Sequence, residues 1–200
     1  MRRTGSLLLA IVSALLLGPG GARADIIIDG DDAFQMAVNN CIEMINGVGG
    51  ESAEVLKCLE MSDKDHKIKQ NKGSNNTTYD NTNDANSKPA GGSGKGSGST
   101  VNWDPNLKGK FSDGVERDPC ASLFHELVHS KDGDQGMRDP RTDVPGNNGI
   151  KANEVKATGA ENKYRKAKGL PIRKKYGDKD LPASAIPTAV ETHGGLIYAQ

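Results

Sequence analysis

Two histidines, His125 and His129, stand four residues apart, with Glu126 directly after the first. On an α-helix this spacing places both imidazoles on one face, one turn apart. Both can then reach a single tetrahedral Zn²⁺ at ~2 Å. Glu126 lies about 100° around the helix from His125, so it stands beside the metal and can take a proton from a water there. The pattern predicts metal-assisted hydrolysis of a peptide bond, with Glu126 as general base.

The helix that would carry these residues is amphipathic. On a helical wheel its apolar side chains fall opposite His125, Glu126 and His129. Its back could therefore pack into a core while its front faces a cleft. The alternative interpretation is a surface helix with two incidental histidines, although the whole chain holds only four. The apolar set comprises Cys120, Leu123, Phe124, Leu127 and Val128.

A catalytic zinc takes three protein ligands and leaves one position for water, so a third side chain must come from elsewhere. Glu154 is favoured because it lies in the first turn of the next strong helix, which can pack antiparallel to the first. Glu161 lies on the same face but has Arg165 four residues later, which indicates an ion pair at the surface. The candidates that stay open are Asp132, Asp134, Asp139, Asp143 and His193.

Periodicity and capping residues predict the elements that position these groups. The helix with the histidines begins at Asp118-Pro119, with Asp as cap and Pro in the first position, and ends near Asp132. Three further helices are predicted at 32–46, 51–61 and 151–168, and strands at 26–28, 65–70 and 100–103. The first two helices should form a hairpin. The predicted fold is α+β, a compact zincin-like domain with a small sheet.

Residues 71–99 form a polar tract rich in Asn, Gly, Ser and Lys. Such a composition buries little, so the tract is predicted to be flexible. The β-forming run from Thr100 to Trp103 ends at Asp104-Pro105 and is predicted to be an edge strand that binds substrate in extended form. Trp103 could instead be a core anchor.

The chain begins with the pattern of a secretory signal peptide. Two arginines precede an apolar run from Leu7 to Leu17, and Ala22-Arg23-Ala24 predicts cleavage after Ala24. We therefore expect a secreted or periplasmic protein with no stable membrane association after cleavage. The predicted units are a signal peptide at 1–24, a domain at 25–180 and a tail at 181–200.

Removal of the three arginines before residue 25 leaves 23 basic and 26 acidic side chains. No basic stripe points to nucleic acid, and a monomer that acts on protein or peptide substrates is expected. Only 34% of residues are hydrophobic, so the core is small and a disulfide would help to stabilise it. The turn at 47–50 stands between Cys41 and Cys58, which predicts a bridge between them and a free Cys120.

Several segments together resemble the NleD-like family of bacterial effector zinc metallopeptidases. They are GSGSTVNWDP at 96–105, ASLFHELVH at 121–129, NEVKATG at 153–159, Glu161-Asn162 and GLPIRKKY at 169–176. The resemblance covers roughly residues 26–178. It implies a zincin fold, a bound Zn²⁺, peptide-bond hydrolysis and a match of Glu154 to the family's downstream acidic position. Known members act inside eukaryotic host cells on signalling kinases, but the signal peptide departs from them, so that substrate is not carried over.

Two residues after the last helix, Arg173 and Tyr176, are candidate donors to the oxyanion of the reaction, although they could equally be surface residues of a basic run. The sequence thus predicts a secreted zinc-dependent endopeptidase. A toxin of competition between bacteria would be the same kind of enzyme with another substrate. A catalytically inactive zincin scaffold that binds a partner is the alternative from another functional class, and a closed set of four metal ligands would favour it.

Overall fold

The computed structural model of the protein describes residues 26–188. The predicted signal peptide with its cleavage site, and the candidate ligand His193, lie outside these residues. The described part is a mixed α+β fold, as predicted. It contains helices α1 (Asp32–Val48), α2 (Gly50–Glu60), α3 (Thr82–Ala85), α4 (Pro119–Asp134) and α5 (Ala152–Ala167), and 3-10 turns at Lys88–Ala90 and Ala183–Ala185.

The four predicted helices are confirmed, and their starts follow from local capping. The side chain of Asp31 accepts a hydrogen bond from the backbone N–H of Phe34 at the start of α1. Asp118 caps α4 in the same way through Ala121, with Pro119 in the first turn. These bonds satisfy N–H groups that have no partner inside the helix.

Four short strands form one sheet in the order β1-β2-β4-β3. The strands β1, β2 and β4 are parallel, and β3 runs antiparallel to β4. Their bounds are Ile27–Asp29, His66–Gln70, Asn76–Tyr79 and Ser99–Trp103 for β1 to β4, with a separate two-residue pair β5 (Lys175–Tyr176) and β6 (Lys179–Asp180). The prediction of an edge strand at Thr100–Trp103 is wrong, because β3 covers that side of β4.

The polar tract at 71–99, predicted to be flexible and to bury little, contains β3, α3 and a 3-10 turn. Ala85 within it is fully buried. The ring of Tyr79 packs on α4 at Gly133, where a Cβ would lie 2.2 Å from the ring. The composition does not indicate this order, because the tract packs through hydrogen bonds and one aromatic ring rather than through many apolar side chains.

The helix α4 crosses the middle of the molecule and packs against α1, α2, α5, β3 and β4. Its apolar back enters the main core beside Trp103, which is fully buried and lies 5.8 Å from Phe34 between ring centroids. Phe124 on α4 meets Tyr164 on α5 at 5.7 Å. Burial of these large side chains is the main force that fixes α4 and α5 relative to each other.

The predicted bridge between Cys41 and Cys58 is wrong. Cys41 on α1 is bonded to Cys120 in the first turn of α4, with the two Cα atoms 4.9 Å apart, and Cys58 is free. The hairpin argument considered only α1 and α2, whereas α1 also packs on α4. Cys58 instead faces the far end of α4, where the amide of Gln135 donates to its sulfur.

Replacing both Cys41 and Cys120 by alanine should lower the free energy of unfolding by about 4 kcal/mol, because the bridge closes a loop across 79 residues. Cys58→Ala is the matched control and should cost far less, since Cys58 closes no loop. Urea unfolding of the three proteins measures the difference, and peptide mapping without reductant should recover Cys41 linked to Cys120. Equal stabilities of the double variant and the control would contradict the prediction.

The folded part extends beyond residue 180, where the sequence predicts a tail. Leu181 and Ala185 are buried against Ile150 and Val155, at the start of α5. The side chain of Asn162 on α5 donates to the carbonyl oxygen of Ala185. None of the helices in residues 26–188 is long and apolar enough to cross a membrane.

Candidate active site

The two histidines and Glu126 lie on α4 as predicted, in its middle turns. All three are largely buried, with exposed fractions of 7% for His125, 8% for Glu126 and 5% for His129. The side of α4 opposite the core is therefore covered as well, by β3 and by α5. Buried polar groups need partners, so their contacts define what the site can do.

The helix α5 packs on α4 and places Glu154 against both histidines. Its Oε2 atom lies 3.3 Å from Nε2 of His125 and 3.2 Å from Nε2 of His129. The two Nε2 atoms are 3.2 Å from each other. The three atoms thus form a nearly equilateral triangle. In residues 26–188 they are the set of His, Cys, Asp and Glu side chains whose donor atoms lie close enough together to hold one metal ion.

The triangle can be compared with the geometry of a zinc site. Two ligands of a tetrahedral ion at ~2.0 Å are separated by about 3.3 Å, which follows from the tetrahedral angle. Two imidazole nitrogens and one carboxylate oxygen are also a donor set that zinc enzymes use, and three ligands leave one position open. The residues present therefore fit a zinc ion in both distance and donor chemistry.

Glu161 stands behind His125, and its Oε2 lies 3.1 Å from Nδ1 of that ring. A hydrogen bond from Nδ1 leaves the lone pair on Nε2 free to face the triangle. Glu161 pairs with Arg165 as predicted, at 2.7 Å, but the prediction of a surface pair is wrong, because both side chains are 1% exposed. Arg165 contacts Oε1, whereas Arg173 contacts Oε2, the same oxygen that faces His125, also at 2.7 Å.

These contacts shift the ionisation of the cluster. Burial works against the protonated form of His125, yet its contacts with Glu154 and Glu161 raise its pKa to about 10. Burial likewise opposes ionisation of Glu161, but His125 and the two arginines lower its pKa to about 2. Contacts with the histidines hold the pKa of Glu154 well below its usual range despite its burial. The site therefore stabilises positive charge between its carboxylates.

The strand β3 supports the outer side of the site. The hydroxyl of Thr77 lies 2.8 Å from Oε2 of Glu126 and 3.0 Å from its carbonyl oxygen. The hydroxyl of Tyr79 donates to the carbonyl oxygen of His129 at 3.1 Å. Thr77 is a site residue that was not predicted, although the alternation of Thr77 and Tyr79 in an otherwise polar tract is a strand signal.

The other candidate ligands have different partners. Asp132 is buried and pairs with Lys156 at 2.5 Å. Asp134 accepts from Ser62 and lies 3.3 Å from Nε2 of His66. Asp139 pairs with Arg141, and Asp143 is exposed. None of these aspartates contributes an atom to the triangle formed by His125, His129 and Glu154.

A cavity of about 500 Å³ opens in front of α4, and His125, Glu126, Arg173 and Tyr176 line it. Arg173 and Tyr176 are thus cavity residues rather than members of a surface run. Burial and the nearby Glu154 raise the pKa of Tyr176 far above its usual value, so its hydroxyl keeps its proton. Phe111 and Arg117 also line the cavity. Sequence reasoning passed over them because their segment has no periodic pattern.

Comparison with known proteins identifies a family for the chain. No match to a curated protein is found. The family model Peptidase M91, described as an effector protein, matches residues 22–173, a range that includes α4, Glu154 and Arg173. That range covers most of the chain and confirms the family resemblance. The protein therefore belongs to the Peptidase M91 family of effector proteins, the NleD-like family.

Proposed function

We propose that the protein is a secreted, zinc-dependent endopeptidase that hydrolyses peptide bonds within protein substrates. The observation that carries the proposal is the triangle of His125, His129 and Glu154 donor atoms, 3.2–3.3 Å on each side, with Glu126 in the adjacent cavity. Membership of an effector peptidase family supports the reaction type.

His125, His129 and Glu154 would hold the ion. Zinc, when bound there, would supply a Lewis acid that makes a water more acidic and polarises the substrate carbonyl. Glu126 takes the proton from the attacking water and passes it to the departing amine. Thr77 holds Oε2 of Glu126, which fixes the direction from which the carboxylate accepts the proton.

Tyr176 is the residue we propose as hydrogen-bond donor to the oxyanion. It lines the cavity with Glu126, and its raised pKa keeps the hydroxyl protonated. Arg173, the other candidate, has one guanidinium nitrogen committed to Glu161. A donor placed where negative charge develops stabilises the transition state more than the substrate.

The substrate-binding strand proposed here is β3 rather than β4. Within the described residues β3 is the last strand of the sheet on its side. Residues 73–75, which lead directly into it, line the cavity. A peptide in extended form can pair with such an edge, so its backbone passes over Glu126. This mode recognises the peptide backbone and favours an unfolded or loop segment of a protein as substrate.

Removal of metal is expected to abolish hydrolysis reversibly. Dialysis of the purified protein against a strong chelator should leave no cleavage of an unfolded protein substrate, and one equivalent of Zn²⁺ should restore it. Without the metal, Glu126 would have to deprotonate an ordinary water molecule, whose pKa lies far above neutrality. Metal content by atomic absorption and cleavage by mass spectrometry check both steps. Undiminished cleavage in metal-free protein would overturn the proposed function.

A further inference from the structure

The cavity extends beyond the metal-holding cluster. Besides His125 and Glu126 it is lined by Phe111, Arg117 and Arg173, here called the arginine wall. None of these three residues belongs to the proposed metal site or is the proposed base. The arginine wall and Glu126 line the same cavity. A peptide whose scissile carbonyl lies at Glu126 would therefore place a neighbouring side chain close to the arginine wall.

Positive charge is concentrated around a single aromatic ring. The guanidinium carbon of Arg173 lies 3.7 Å from the centroid of Phe111, that of Arg117 4.3 Å and that of Arg165 5.5 Å. Glu161 is the carboxylate that pairs with Arg165 and Arg173, at 2.7 Å each. Two arginines therefore share one carboxylate, which His125 also contacts, and Arg117 forms no ion pair within residues 26–188.

Arg117 is the unpaired member. Within residues 26–188 its guanidinium enters no ion pair or side-chain hydrogen bond, and burial together with the charge of Arg173 lowers its pKa. Arg173, only 5% exposed, also keeps a buried Nε atom without a hydrogen-bond partner. Buried charges and donors in folded proteins are normally paired. The half-buried Arg117 lines the cavity without an ion-pair partner in residues 26–188, and Arg173 beside it has one buried unpartnered donor, so this wall points to an anionic ligand.

We propose that the arginine wall is a substrate subsite for a carboxylate within one or two residues of the scissile bond. The carboxylate can come from an aspartate or glutamate side chain or from the C-terminus of the substrate. A planar carboxylate matches the paired N–H groups of a guanidinium, and the stacking on Phe111 holds that plane in place. The inference rests on the proposed function, since it concerns the same cavity.

Stacking alone does not account for the wall. A guanidinium is attracted to the face of an aromatic ring, but the ring carries no net charge, and Glu161 is one carboxylate beside three arginines. Glu126 is held by Thr77 and serves the proposed reaction. A carboxylate from the substrate supplies the charge that the wall lacks. The expected preference for acidic over neutral substrates is about 10- to 100-fold, as for a charge-assisted hydrogen bond.

The first experiment uses synthetic peptide pools with the zinc-loaded protein. One pool carries Asp or Glu at alternate positions, and the other carries Asn or Gln there, each with free and with amidated C-termini. The acidic pool should be cleaved about 10- to 100-fold faster, by kcat/KM. If the terminal carboxylate is the source, the preference follows the free C-terminus instead. Arg117→Ala should bring the ratio of kcat/KM between the preferred and the other peptides close to one. Lys57→Ala, which removes a charge from the exposed side of α2, is the control and should leave that ratio unchanged.

The second experiment measures binding without cleavage. The same pools are passed over immobilised Glu126→Gln protein and over Glu126→Gln combined with Arg117→Ala, and the retained peptides are quantified. Enrichment of carboxylate-bearing peptides by the first protein and its loss in the second are expected. Absence of cleavage with retained enrichment would reject the proposed function and keep the subsite. Equal retention of both pools, or a preference that survives Arg117→Ala, would overturn the subsite.

Discussion

The Glu126→Gln variant is expected to lose hydrolysis by about 10⁴-fold while it keeps its fold and its zinc. Glutamine has the size of glutamate but cannot take a proton, and a general base contributes typically 10²–10⁴-fold. The carboxylate also positions the water, so the loss should reach the upper end of that range. The metal should remain, because its proposed ligands are His125, His129 and Glu154, and Glu126 is not one of them.

The fold should also remain, because the hydrogen-bond partner of Glu126 is a hydroxyl, which can donate to a glutamine side chain as well. The hydroxyl of Thr77 lies 2.8 Å from Oε2 of Glu126, and a glutamine side-chain oxygen can accept the same bond. The measurements are metal content, circular dichroism and cleavage of an unfolded protein. His125→Ala is the contrasting variant and should lose both zinc and activity. Full activity of Glu126→Gln with zinc bound would rule out the proposed mechanism.

The parts of the site that could be predicted from the sequence are those that local rules determine. Asp118 and Pro119 mark the start of α4, and the four-residue spacing places His125 and His129 on one face of any helix. The position of Glu154 needed one tertiary assumption, that α5 packs back on α4. The contact between these helices agrees with that assumption.

The parts that could not be predicted depend on contacts between residues far apart in the chain. Cys41 meets Cys120 across 79 residues, and no spacing rule selects this pair over the nearer Cys58. The burial of Glu161 has the same origin. Its pairing with Arg165 on one helix face is a local feature, but Arg173 and His125 approach it from other elements and remove it from solvent.

Glu154 and Glu161 are expected to respond differently to substitution, because one faces the metal triangle and the other faces the back of a histidine. Glu154→Ala should lower zinc affinity by more than 100-fold, since it removes one of three donors. It should also lower the stability of the metal-free fold at neutral pH, because His125 and His129 lose the carboxylate that lies 3.2–3.3 Å from their Nε2 atoms. Asp139→Ala is the matched control for a loop aspartate and should bind zinc as the unaltered protein does.

Glu161→Gln should weaken zinc binding by about 10- to 100-fold, the effect typical of a residue that orients a ligating histidine. In addition it should destabilise the metal-free protein by about 3–5 kcal/mol, because it leaves Arg165 and Arg173 buried without a carboxylate. Zinc titration and urea unfolding of the metal-free proteins separate the two effects. If Glu154→Ala kept its zinc after dialysis, or if Glu161→Gln were as stable as the unaltered protein, the assignment of one residue to the metal and the other to its support would be wrong.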